Sequence, residues 1–71
     1  MIVYVALLDE GVDAWRPVQA ERVRGDLYRL TGERPEGEAW PFAVGDVVKC
    51  APRMLDGQSE PVLVAYEKAI A

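Results

Sequence analysis

Apolar residues come in short runs broken by turn-forming residues. Ile2 to Leu8 is continuously apolar and rich in β-branched residues, which predicts a strand covered on both faces. Asp9-Glu-Gly-Val-Asp13 follows as a loop, with Gly11 free to take positive φ. Val47 to Ala51 alternates, with Val48 and Cys50 on one face and Val47, Lys49 and Ala51 on the other. Asp56-Gly57 is a turn signal, and Pro61 to Tyr66 is a further apolar run. Two apolar runs around an Asp-Gly turn predict a hairpin. The tail Glu67 to Ala71 is expected to fray or to form a short extension.

Residues 14–31 support two readings. Pro17 at a first helical position, with Val23, Leu27 and Leu30 at helical spacing and Gly32 as a stop, describes a helix over about 17–31. Gly25 beside Asp26 describes instead a turn at Arg24-Gly25-Asp26 between strands Trp15–Val23 and Leu27–Leu30. That reading needs Pro17 at an edge or a bulge. Pro35 and Gly37 make residues 33–38 a loop. Trp40 is expected in the core, with Phe42 and Val44 continuing its alternation. The strand reading gives five short strands, which close most readily into a small barrel because closure removes exposed edges. The expected fold is therefore one all-β domain over 1–71, with an α+β arrangement as the alternative.

The chain has 71 residues and a single cysteine, so no disulfide supplements a necessarily small core. A lone cysteine fits a reducing compartment, the cytoplasm, and Cys50 is expected to be a small buried hydrophobe. The N-terminal apolar run lacks a basic leader and is too short to cross a bilayer. The net charge of −4 disfavours nucleic acid, although residues 14–34 hold five arginines, Arg16, Arg22, Arg24, Arg29 and Arg34.

Chemistry-bearing residues are sparse. There is no histidine, and Ser59 and Thr31 are the only hydroxyl nucleophiles apart from tyrosines. A nucleophile beside a histidine base cannot be built in one chain, and one cysteine without histidine cannot hold zinc. Glycines occur singly, without a phosphate-binding pattern. Asp9, Glu10 and Asp13 lack calcium-loop spacing. The expectation is a non-enzymatic protein with no catalytic residue, metal or cofactor.

The segment Asp9-Glu-Gly-Val-Asp-Ala-Trp-Arg-Pro-Val18 stands apart. It places three carboxylates, a tryptophan and an arginine between two apolar runs, a mixture that a core does not require. Tryptophan and arginine are enriched where proteins bind each other. Asp9, Glu10, Asp13, Trp15 and Arg16 are thus the candidate partner-binding residues, and the partner itself is unspecified. The alternatives are a self-associating subunit, using an unpaired edge of Ile2–Leu8 or Val62–Tyr66, and an RNA-binding small barrel.

Two patterns carry a resemblance. Phe42-Ala-Val-Gly-Asp-Val-Val48 resembles the Gly-Asp turn that leads into a central strand of SH3-like barrels. The longer layout joins the apolar first strand, Asp-Glu-Gly-Val-Asp-x-Trp-Arg-Pro-Val, Leu27-Tyr-Arg-Leu30, Trp40-x-Phe and Gly-Asp-x-Val. It is similar to a group of small bacterial proteins of unassigned activity, over some two-thirds of the chain. The resemblance implies an SH3-like barrel and strengthens the strand reading of 14–31. It implies no function.

Overall fold

In the computed structural model, which describes residues 1–10 and 14–69, the chain forms five strands. They are β1 (Ile2–Ala6), β2 (Trp15–Arg24), β3 (Leu27–Leu30), β4 (Val47–Arg53) and β5 (Val62–Lys68). Each strand pairs with the next in antiparallel fashion, and β5 returns to β1, giving a closed barrel. The closing pair is parallel, at Tyr4 and Val64. An odd number of up-and-down strands requires this, because the first and last run the same way.

The all-β reading holds and the helix over 17–31 does not form: that segment is β2, a turn and β3. Gly25 takes φ +53°, and the Arg22 guanidinium donates to its carbonyl at 3.0 Å. The β2–β3 register shifts between Arg22 and Arg24. The hairpin of β4 and β5 also forms, with the Gln58 N–H donating to the Leu55 carbonyl (3.1 Å) across Asp56-Gly57.

The core lies inside the barrel. Val3 and Val5 of β1, Val18 and Ala20 of β2, Tyr28 and Leu30 of β3, Val48 and Cys50 of β4 and Ala65 of β5 form one buried cluster, closed by Trp40. Inward and outward positions alternate as the pleat demands.

Two expectations are corrected, for β1 and for Val44. β1 is not covered on both faces: Val3 and Val5 are buried, while Ile2 is 43% exposed. It also stops at Ala6, and Leu8 sits in the turn that follows. The outward side chains of β1 (Ile2, Tyr4 and Ala6) are nevertheless all apolar, which is why the run read as doubly buried. Of the two expectations for the tail, the short extension forms over its described residues, since Glu67 and Lys68 belong to β5 and the Ala69 N–H donates to the Val47 carbonyl at 2.9 Å. Trp40 is buried and Phe42 packs on the core, but Val44 is exposed, because residues 43–46 turn. In that turn Gly45 has φ +95°, the Asp46 N–H donates to the Ala43 carbonyl (3.0 Å), and the Ala43 N–H donates to Asp46 Oδ2 (2.9 Å).

Pro17 occupies the kind of site its chemistry requires. Backbone bonds join Met1 with Ala20 and Leu7 with Ala14 at the two ends of the β1–β2 ladder. Alternation then turns the nitrogen of Pro17 away from β1, towards β3, which has already ended. Pro52 does the same on β4: the Cys50 N–H donates to the Asp26 carbonyl at 2.9 Å, so two residues on Pro52 faces past the end of β3. Both strand halves that β3 is too short to reach carry a proline with no N–H to offer another strand.

Candidate functional site

Val18 and Ala20 point into the barrel, so strand alternation also turns Arg16 inward and Trp15 outward. The two candidate residues serve different surroundings.

Arg16 lies at the barrel mouth, opposite Val5. Its guanidinium makes a two-pronged ion pair with the Glu38 carboxylate, with Nε to Oε1 at 3.1 Å and an Nη2–Oε2 contact. The Trp40 indole N–H donates to the same Oε1 at 3.0 Å. The Glu38 side chain is only 10% exposed, and its own carbonyl accepts from Arg34 Nη1 at 3.0 Å. The hydrogen bond from Arg16 holds the Glu38 carboxyl below its usual range, against an opposing push from burial, with the Trp40 bond adding to the lowering. The same bond raises Arg16, and the charges of Glu38 and Glu10 reinforce it. The cluster pins the connection between β3 and β4 over the mouth of the barrel. Two further bonds pin it: the Leu8 N–H donates to the Ala39 carbonyl (2.8 Å), and the Gly32 N–H donates to the Gln19 carbonyl (3.0 Å).

Trp15 stands on the outer wall, half-buried. The guanidinium carbon of Arg53 lies 5.3 Å from the centre of its ring, a cation–π contact. Trp15, Arg53, Met54, Leu55 and Asp56 line a hollow of about 160 Å³. β2 and β4 are not paired, so the hollow is built by side chains and by the β4–β5 loop reaching across the outside of the wall. Leu55 and Val64 are buried, at 8% and 4% exposure, without belonging to the central cluster. Leu55 lies in the β4–β5 loop, and Val64 alternates with the inward Ala65 on β5.

Asp9 and Glu10 are exposed in the turn after β1, and Asp13 falls outside the described residues. No group of three metal-ligating side chains occurs among the described residues. Cys50 is buried, and desolvation, with the nearby charge of Asp26, pushes its thiol up to about 11. Among the described residues no helix is long and apolar enough to cross a membrane. Of the arginines, Arg16 is clasped by Glu38, Arg29 faces Glu21 at 3.9 Å, and Arg34 bonds a backbone carbonyl.

The sequence singled out Trp15 and Arg16 but not Glu38, Arg53, Met54, Leu55 or Asp56. Of these only Asp56 carried a signal, as a turn residue. The approach of β4 to Trp15 has no local mark.

No protein-family model matches the chain, and no curated protein or solved structure matches it significantly.

Proposed function

We propose that the protein is a non-enzymatic binding module that engages another protein through the hollow beside Trp15. One observation carries this reading. A half-buried tryptophan on the outside of the wall is held under an arginine, beside a cavity lined by the β4–β5 loop. Aromatic and arginine anchors that are already ordered are what a binding surface uses, because little side-chain freedom is lost on contact. The hollow is smaller than the roughly 300 Å³ at which cofactor and substrate sites begin, and its size suits one inserted side chain. Loops on a rigid small barrel also agree with the SH3-like layout read from the sequence. The buried, unpaired Cys50 supports a reducing compartment, the cytoplasm.

The test is affinity capture with the wild type beside Trp15→Ala. Arg16 stays intact, because its loss would loosen the barrel mouth. A partner retained by the wild type and lost by the folded variant supports the reading. Equal capture by both would remove Trp15 from the surface.

A second reading, a self-associating subunit, is favoured by the apolar outer positions of β1 and β5, where Ile2 and Tyr66 remain exposed. The pairing of β1 with β5 at Tyr4 and Val64 favours face-to-face contact over the edge route. Light scattering at high protein concentration separates the readings: a monomer rules out self-association.

A further inference from the structure

The charge around the hollow has a direction. β2 begins at Trp15, reached directly from the β1–β2 loop, and the β4–β5 loop supplies Met54, Leu55 and Asp56 to the lining. In the described parts of these two loops the charged residues are Asp9, Glu10, Asp56 and Glu60, all exposed and all acidic. Among the described residues the one cation in the lining is Arg53, and it is stacked on the Trp15 ring. The arginines of the β2–β3 hairpin, Arg22, Arg24 and Arg29, lie towards the opposite end of β2.

We propose that the Trp15 hollow receives an arginine or lysine side chain from an extended basic segment of a partner protein. This rests on the binding-module reading and adds the chemistry of the partner. An electron-rich indole face attracts a cation, and the attraction grows as water is excluded. Arg53 already occupies that position from within the chain, so the geometry suits a guanidinium. Asp56 on the lining and Asp9, Glu10 and Glu60 on the flanking loops complement positive charge and repel an acidic segment. The net charge of −4 steers a basic partner inwards at long range. An incoming cation competes with Arg53 for the ring, which makes Arg53 a gate that weakens binding. An acidic partner would instead use Arg53 as its anchor, so removing Arg53 has opposite effects in the two cases.

The experiment is titration of the isotope-labelled protein with three synthetic peptides, followed by NMR. One peptide alternates arginine with alanine, one alternates glutamate with alanine, and one is uncharged. The indole N–H of Trp15 reports the hollow, while that of Trp40, bonded to Glu38, reports the integrity of the barrel mouth. The expected result is that the basic peptide shifts Trp15 and leaves Trp40 in place. Trp15→Leu should abolish this binding, Asp56→Asn should weaken it, and added salt should weaken it further. Arg53→Met should tighten it by about threefold, the worth of an exposed cation–π contact. Trp15-dependent binding of the acidic or uncharged peptide in place of the basic one would overturn the charge assignment and leave the module reading standing. Weaker binding of the basic peptide to Arg53→Met would also overturn it. If no peptide moves Trp15 at millimolar concentration, both the assignment and the hollow as a binding site fail.

Discussion

Trp15 and Arg16 are neighbours in sequence and face opposite sides of the barrel wall. The first is stacked under Arg53 outside, and the second is clasped by Glu38 at the mouth. Their substitutions should therefore separate. Trp15→Ala is expected to remove binding with a modest loss of stability, of about 1 kcal/mol for the stacking contact. Arg16→Ala should lower the melting temperature more, because it strands the covered Glu38 carboxylate. Thermal unfolding by circular dichroism checks the order, and a reversed order would place Trp15 in the structural role.

The pairing of Glu38 also sets an acid limit. Its carboxyl titrates below the usual 4.5, so the unfolded chain takes up that proton first as pH falls. The contribution is fully present above the unfolded value and is lost as pH drops through the lower, folded value. In urea titrations the gap between wild type and Glu38→Gln should be constant from pH 8 to about pH 5 and should narrow below about pH 4.5. A gap that widens on acidification would show that Glu38 is not held in its charged form.

Two glycines should respond to alanine for different reasons. A Cβ on Gly32 would sit 3.0 Å from the Gln19 backbone nitrogen and 3.2 Å from Val18 Cγ1, where the connection crosses β2. The neighbour is backbone and the core lies behind it, so Gly32→Ala should cost about 1–3 kcal/mol, as overpacking does. Gly57 has open space but φ +83°, so Gly57→Ala should cost about 1 kcal/mol in backbone strain. Denaturant midpoints measure both, and a neutral Gly32→Ala would mean that the crossing can move aside.

Leu30 is fully buried at the end of the shortest strand. Leu30→Ala should lose about 2–5 kcal/mol. For a domain this small that is a large share of the total stability. Urea unfolding should show the midpoint falling sharply, while a loss below about 1 kcal/mol would place Leu30 outside the core.

Cys50 should be inert while the barrel is folded. Its thiol is covered, and at about 11 its pKa leaves little thiolate near neutrality. A thiol reagent at pH 8 is expected to label the native protein slowly and the urea-unfolded protein at once. Rapid native labelling would contradict the burial.

Much of the barrel was legible because strands and turns announce themselves locally. The Gly25 and Gly57 turns follow from residues that tolerate positive φ. The alternation of Val48, Lys49 and Cys50 marks an inner and an outer face. Pro17 left the helix reading open because its fitness for a strand depends on where β3 ends, and that depends on another part of the chain. The apolar run of β1 was read as buried twice because sequence records composition and not cover: Val3 and Val5 are buried, while Ile2 on the outer face is exposed.

The candidate site divided in the same way. Sequence alone determined that Trp15 and Arg16 directly follow an acidic segment. It also determined that no histidine, disulfide or phosphate-binding loop is available. Tertiary structure decided which side of the wall each residue serves, that Glu38 holds Arg16, and that Arg53 lies over Trp15. These are contacts between segments distant in the chain. They are fixed by barrel closure and strand register, and the residues that make them carry no local pattern by which to find each other.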